Sequence, residues 1–319
     1  MNQGKMPQTK VLIINYNNGP DTISCIRSLA SLADIGIILL DNASDDGSVL
    51  QIEKYLGEDD ISYDATSVAG LNGRGLTNAR VLFVRSTVNL GFAGGNNILL
   101  RYMKTCGDSE YAWLLNNDAI VDETALGALI RKMEEDNDVA FVGSVILDFY
   151  HRNLVQCCGV IYYKYFGVSK LLMKNVDWSR VDKNTLQLPE ADFQHGASLL
   201  VRMSALDTIG LMDERYFLYF EEHDWQWTAR DRGFRNVLAT ASIVYHKGSV
   251  STNNKKHLFF YYYNKSAIIF ARKHSSFSVR LLATIMLIGI TLVRAKFYCK
   301  SVWWGLKGIA EGYTIKGDI

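Results

Sequence analysis

The chain has 319 residues, 48% of them hydrophobic and 21% charged, with three prolines, a balance that excludes disordered and collagen-like classes. A formal net charge of +1 excludes a global polycation, so no nucleic-acid partner is expected. The charge is nevertheless polar: residues 255–319 carry eleven Lys and Arg against Glu311 and Asp318, a net +9 that leaves −8 for the rest of the chain.

Short β-branched runs alternate with helical patterns through the first half, which predicts an α/β fold with a mostly parallel central sheet flanked by helices. The polar start MNQGKMPQTK lacks the apolar core of a signal peptide and leads into a first strand over residues 10–15. A helix follows, with Asp21 as its N-cap candidate and Ile23, Ile26 and Leu29 as apolar positions. The second strand covers 35–40 and ends at Asp41, and Ser44 with Asp45 caps a helix to about residue 55. Residues 62–80, with their GLNGRG stretch, read as a loop long enough to be an insertion before the third strand at 81–85. Strands at 111–115 and 139–147 enclose a helix at 122–135. Beyond 151 the pattern is less regular: strands at 155–165, 197–203 and 236–245, a loop at 170–190, and helices at 204–210 and 221–232. A basic, aromatic tail follows a boundary near 255. Its longest uncharged apolar stretch, residues 281–293, would be about 20 Å of helix, too short for a hydrocarbon core of about 30 Å. The five cysteines are scattered without a C-x-x-C, which encodes neither a disulfide framework nor a zinc site and fits a reducing cytoplasm.

In open parallel sheets ligands lie beyond the carboxyl ends of the strands. Asn15 and Asn17 follow the first strand and Asp41 to Asp45 the second. Asn89, Gly91, Gly94, Gly95, Asn96 and Asn97 follow the third, and Asn116, Asn117 and Asp118 the fourth. Each group alone reads as turn and cap chemistry, but four at one sheet edge read as a site. The glycines are spaced G-x-x-G-G and no P-loop lysine follows, so a dinucleotide fingerprint is not expected. Small residues at a strand-to-helix junction admit a ligand close to the backbone, and the helix N-terminus favours an anion such as a diphosphate. Asp41 is suited to accept from the imide N–H of a pyrimidine base, and Asp118 to hold a hard divalent cation that bridges two phosphates. Glu221, Glu222 and Asp224 place three carboxylates in four residues at a helix start between aromatics. Dipole and capping charge explains such a cluster; crowding and desolvation would also raise one carboxyl toward the range of a general base. His246 ends the last strand, where a lone histidine is more often structural.

Taken in order, KVLIINYNN, LLDNASDDGS, NLGFAGGNN, WLLNNDA, GASLLVR, GLMDERYFLYFEEHDWQWTARDRGF and VYHKGS resemble bacterial glycosyltransferase family 2, particularly its rhamnosyltransferase-like branch, over about residues 10–275. The resemblance implies a GT-A catalytic domain over 1–254, with a nucleotide-binding half at about 10–150 and an acceptor-binding half at about 151–254. A helical, membrane-associating segment would follow at 255–319. It implies an inverting transfer from a nucleotide-diphosphate sugar, dTDP-rhamnose before UDP-sugars, with Mg2+ or Mn2+. The acceptor would be a saccharide or lipid-linked saccharide of O-antigen, capsule or cell wall. By this resemblance Asp41 holds the base, with Asn15, Asn17, Asn89, Gly91, Gly94, Gly95, Asn96, Asn116 and Asn117 around the donor. Asp118 is the last residue of a DxD-type motif at the metal, His246 meets the metal or diphosphate, and Glu222, second of the pair Glu221-Glu222, is the base.

Two departures stand out. Asn116 occupies the place of the motif's first acid, and Glu222 replaces the usual Asp, which keeps Asp224 as a rival base. Helix periodicity puts Glu221 and Asp224 on one face, where Arg230 or Arg232 are the expected partners, and turns Glu221 to solvent or a capping role if Glu222 faces the crevice. The basic residues interleaved with Phe297, Tyr298, Trp303 and Trp304 predict peripheral attachment to the inner face of the plasma membrane; packing on the catalytic domain or a homodimer interface is the competing use. The alternative class is a non-catalytic nucleotide-sugar or carbohydrate-binding subunit of a polysaccharide assembly complex, against which the three acids at 221–224 weigh.

Overall fold

A computed structural model describes residues 8–32, 35–75, 77–182, 185, 186, 188, 190–248, 256–294 and 299–315. The N-terminal half runs β1 (Thr9–Asn15), α1 (Gly19–Ser28), β2 (Ile35–Asn42), α2 (Ser48–Glu58), β3 (Tyr63–Ser67), β4 (Val81–Ser86), α3 (Gly91–Cys106), β5 (Tyr111–Asn116), β6 (Ala119–Val121), α4 (Ala125–Glu134) and β7 (Val139–Asp148). Then come β8 (Val155–Cys157), β9 (Val160–Tyr163), β10 (Val168–Leu171), β11 (Ser198–Arg202), the short α5 (Leu206–Ile209), α6 (Glu221–Asp231) and β12 (Arg235–His246). Three helices follow: α7 (Lys256–His274), α8 (Phe277–Arg294) and α9 (Cys299–Thr314).

The main sheet has the order β3-β4-β2-β1-β5-β11-β7-β12-β6, with β8 on β7. It is parallel from β3 to β5, then mixed: β11 runs antiparallel between β5 and β7, and β12 runs parallel to β7. Side chains alternate across it with the two-residue period of a strand. Val11 and Ile13 enter one core with Leu39, Phe83 and Trp113, covered by α1, α2 and α4, while Leu12, Ile38 and Leu114 enter the opposite core under α3. Burial on both faces is why these strands read as continuous apolar runs.

Several local expectations are corrected. Asp21 lies in the first turn of α1 behind Asn18 at the cap, and α2 begins at Ser48 after Gly47, whose φ is 86°. Ser44 and Asp45 do not cap α2, because they bond across to Asn15 and Asn17. The stretch read as an insertion holds the edge strand β3, whose sequence YDATS is only half-buried and carries little apolar signal. The strand expected over 155–165 breaks at Gly159, which has a φ of 122°.

The C-terminal helices do not share one environment. Ile268, Ile269 and Phe270 of α7 are buried in the same core as β1 and β2. Glycines let α9 lie directly on α7: a Cβ at Gly308 would come within 2.3 Å of the Tyr261 carbonyl oxygen, and one at Gly312 within 2.8 Å of that of Lys265. α8 instead exposes Phe277, Leu281, Ile285, Leu292 and Val293. The residues around the boundary expected near 255, and Phe297 and Tyr298, lie outside those described.

Candidate active site

The ends of β1, β2 and β5, already paired through their backbones, are tied further by side chains. Asn15, fully buried, donates from Nδ2 to Asp41 Oδ1 at 2.7 Å and Ser44 Oγ at 3.0 Å, and its Oδ1 accepts from Thr22 at 2.7 Å. Asn117 Nδ2 joins them through Thr22 Oγ1 at 2.9 Å. Asn17 and Asp45 exchange two bonds, Asn17 Nδ2 to Asp45 Oδ1 at 2.8 Å and Asp45 N to Asn17 Oδ1 at 2.9 Å. Asp41 Oδ2 accepts from Ser44 N at 3.0 Å. Asp41 therefore ties two loops together, and a carboxylate's roughly four acceptor positions leave capacity beyond those bonds.

The asparagines and glycines after β4 have packing partners. Asn42 Nδ2 donates to Asn89 Oδ1 and the Gly91 carbonyl, both at 3.1 Å. A Cβ on Gly91 would lie 2.3 Å from the Phe217 carbonyl oxygen, and one on Gly95 3.2 Å from Leu40 and 3.3 Å from Ile14, so these glycines set how closely α3 approaches its neighbours. Gly94 lies against Leu90, and Asn96 bonds the Phe92 carbonyl at 3.0 Å. Asn97 holds Met212 and Glu214.

Asp118 and His246 converge, with Oδ1 and Nε2 3.1 Å apart. Asn116 Nδ2 reaches the same ring nitrogen at 3.2 Å, and Gln156 Oε1 accepts at Nδ1 at 2.6 Å. A protonated ring makes an ion pair with Asp118. In a neutral ring Gln156 keeps the proton on Nδ1, and two electron-pair donors, Nε2 and Oδ1, face one another, an arrangement that suits a cation. Burial pushes the Asp118 carboxyl up, but the His246 contact and charge, together with backbone amides that include Gly248, outweigh it and hold it below the ordinary value. Among the described residues no group of three or more His, Cys, Asp and Glu could hold a metal. Asp118 and His246 would thus supply only two ligands to a cation such as Mg2+ or Mn2+. Lys247 pairs with Asp21 at the same rim.

The acid helix starts under strain. Tyr219 and Phe220 have φ of 69° and 68°, conformations that cost each bulky residue on the order of 1–3 kcal/mol. Aromatic packing holds them: Phe220 meets Tyr162, Tyr263 and Phe270, and Tyr219 meets Phe259 and Tyr263. The turn aims Glu222 at Gly196, where a Cβ would lie 3.1 Å from Oε1, and leaves Glu222 Oε2 without a hydrogen-bond partner. Glu221 is buried rather than turned to solvent, its Oε2 also unpartnered, and burial followed by the Glu222 charge holds its carboxyl well above the usual range. Asp224 is saturated by Lys273 Nζ and His274 Nε2, each at 2.7 Å, and Tyr216 Oη at 3.2 Å. The expected arginine partners are engaged elsewhere: Arg230 on Asp192 at 3.0 Å, Arg232 on the Thr208 carbonyl.

His195, not singled out in the sequence, lies between the two acid-bearing regions. Its ring centroid is 5.8 Å from that of His246, and its chain neighbour Gly196 carries the Glu222 contact. Ala197 N donates to His195 Nδ1 at 3.1 Å. Burial, then the neighbouring His246 and His223, push its pKa down to about 3. Its sequence signal is thin: a histidine before the glycine of the GASLLVR strand. Gln156 and Thr22 were equally silent, as polar residues without a motif.

The description "Glycosyl transferase family 2" belongs to a family model that matches residues 10–210. An N-acetylglucosaminyl-diphospho-decaprenol L-rhamnosyltransferase of Mycobacterium tuberculosis is 23% identical over 284 residues, 84% of this chain and 85% of the relative. A low-salt glycan biosynthesis hexosyltransferase of Haloferax volcanii is 20% identical over 229 residues; the match spans 72% of this chain and 63% of the relative, just under two thirds of its length. Among solved structures, a mannosyltransferase from Pyrobaculum calidifontis in complex with GDP-Man and Mn2+ superposes with a TM-score of 0.56 at 12% identity, over 98% of this chain and 77% of that one. That likeness shows a shared GT-A fold.

Proposed function

The chain belongs to glycosyl transferase family 2, and from that premise we propose that it is an inverting transferase acting on a nucleotide-diphosphate sugar. We take dTDP-rhamnose as the first donor and a UDP-sugar as the second. The acceptor is a saccharide or lipid-linked saccharide of O-antigen, capsule or cell wall. The observation that carries the reading is that the adjacent residues His195 and Gly196 lie near His246 of the Asp118–His246 pair and against Glu222, respectively. A base and a cation-binding pair then meet the same short segment. The rhamnosyltransferase name of the mycobacterial relative, with its lipid-diphosphate acceptor, supports the choice of donor and acceptor class.

Glu222, with an unpartnered carboxylate oxygen, takes the proton of the acceptor hydroxyl as that oxygen attacks the anomeric carbon. The bond from that carbon to the diphosphate oxygen breaks, and its electron pair leaves with the nucleoside diphosphate; one displacement inverts the centre. Asp41, braced by Asn15 and Ser44, accepts from the base, and Asn17 and Asp45 form the rim beside it. Asp118 and His246 would hold the cation, whose chemistry is neutralisation of charge on the departing diphosphate. Asp224, with three partners already, positions α6 rather than serving as base.

Attachment to the inner face of the plasma membrane is the second part of the reading. α8 is 18 residues long and, by length and composition, apolar enough to cross a bilayer, longer than the 13-residue stretch suggests. Its Thr284 and Thr291 face Tyr313, Asn264 and Gly305, so one side is packed on its neighbours and the exposed apolar side suits an in-plane position, flanked by Arg280, Arg294, Lys300 and Lys307.

The deciding experiment is a screen of dTDP-rhamnose and UDP-sugars for hydrolysis and for transfer to saccharide acceptors, with and without Mg2+ or Mn2+. Turnover of one donor, lost in Asp118→Ala, is expected. Binding without hydrolysis of any donor would favour the non-catalytic subunit, and turnover unchanged by EDTA would remove the metal from Asp118. Flotation of the full chain with anionic vesicles is expected and should fail when Leu281 and Ile285 are changed to Glu; equal partitioning of both would remove the membrane part.

A further inference from the structure

Resting on the transferase reading, we infer that His195 is a hydrogen-bond donor to the bound nucleotide sugar, through Nε2–H to an oxygen of the sugar or of the diphosphate. The argument starts from the backbone. Ala197 N–H can only donate, and it donates to His195 Nδ1 at 3.1 Å, so Nδ1 is the acceptor and the proton of the neutral ring is on Nε2. The loop that fixes this tautomer is itself fixed: the Ala197 carbonyl accepts from Asn116 N at 3.0 Å, beside Asp118.

Nε2–H has no hydrogen-bond partner among the described residues, which leaves it free to donate to a ligand. His246 lies 5.8 Å from the ring between centroids, and Gly196, next in the chain, lies against the Glu222 carboxylate. A group between the cation ligands and the base meets the transferred sugar or the phosphate joined to it. With Nδ1 engaged by the backbone, His195 cannot compete with Glu222 for the acceptor proton; it offers a donor and no free acceptor. The site thus gains a fixed donor for a ligand rich in hydroxyl and phosphate oxygens, in a place where the other polar groups present mostly lone pairs.

Calorimetry with dTDP, UDP, dTDP-rhamnose and UDP-glucose, together with steady-state kinetics, tests this on wild type, His195→Ala and His195→Gln. Gln returns an N–H near the position of Nε2. Expected is about ten-fold weaker sugar-nucleotide binding in His195→Ala, the loss of one hydrogen bond, with most of it restored in His195→Gln and the pH profile of kcat/KM unchanged in shape. Weakening confined to the sugar nucleotides assigns the contact to a sugar hydroxyl; equal weakening of dTDP or UDP assigns it to the diphosphate. Wild-type binding by His195→Ala, or a His195→Gln as impaired as His195→Ala, overturns the contact while leaving the transferase reading intact. A wild-type protein that binds none of the four probes overturns both.

Discussion

The crevice loops and the acid helix carry comparable chemistry and are held in place by different means. Asp41 and Ser44 lie 26 and 29 residues beyond Asn15 and meet it because β1 and β2 are adjacent parallel strands, paired from Thr9 with Ile35 to Asn15 with Asp41. Any chain that forms those strands presents these loops together. α6 takes part of its support from much further along the chain. Asp224 is gripped by Lys273 and His274, 49 and 50 residues further on, and Phe220 packs on Tyr263 and Phe270 of the same α7. The acids are therefore set by a helix after residue 255. The donor loops should tolerate damage to α7, and the acid helix should not.

The largest effect expected on the acid side is chemical. Glu222→Gln should fold, keep its affinity for a nucleotide sugar and lose about 10²–10⁴-fold in transfer rate, the usual contribution of a positioned base. Asp224→Asn should instead lose stability before chemistry, since it strips a buried cluster of its charge. Transfer rates and thermal melts of the pair separate the roles. A near wild-type Glu222→Gln beside a folded but inactive Asp224→Asn would move the base to Asp224.

The comparison also explains what the sequence could and could not disclose. The parallel strands were legible because burial on both faces makes unbroken apolar runs, and the Asn and Asp clusters were legible because they sit at the ends of those runs. β3 was not: YDATS offers an edge strand almost no apolar residues to read. Ser44 and Asp45 are good helix caps in isolation, and only the position of β1 beside β2 diverts them to Asn15 and Asn17. Helix periodicity put Glu221 and Asp224 on one face and looked for arginines at the end of α6, but it has no knowledge of α7, which supplies the partners of Asp224. His195 acquires meaning only when β11 is placed between β5 and β7.

Lys273→Met sharpens the same contrast through stability. It removes the Lys273 ion pair of Asp224, whose side chain is 3% exposed, while Lys273 itself is 26% exposed. The cost should be about 3 kcal/mol, the low end for breaking a buried pair, and should shrink markedly in an Asp224→Asn background, because the two changes remove one interaction. Lys104→Met, at the exposed pair with Asp207, is the control and should cost under about 1 kcal/mol. Urea denaturation of the four variants measures this. Equal costs for Lys273 and Lys104 would mean that α7 does not secure α6.

The smallest expected effect depends on pH and concerns Glu221. Burial, followed by the charge of Glu222, raises its carboxyl well above the usual value, so the folded protein favours the protonated form more than the unfolded chain does. Stabilisation from that preference is complete below the unfolded-state value and is lost as pH rises through the folded one, because the folded state then holds a proton that the unfolded state has released. Glu221→Gln preserves the shape of the protonated acid and cannot ionise. Its urea midpoint should match wild type near about pH 4, the ordinary glutamate range, and exceed it at about pH 8, with a gap that widens steadily between. Asp41, which accepts from Asn15 and Ser44 N in the donor crevice, gives the contrasting case: Asp41→Asn removes one of the two accepting oxygens, so it should lower stability at both ends. A Glu221→Gln gap that is constant with pH would show that the fold does not favour the protonated form of Glu221 over the unfolded chain.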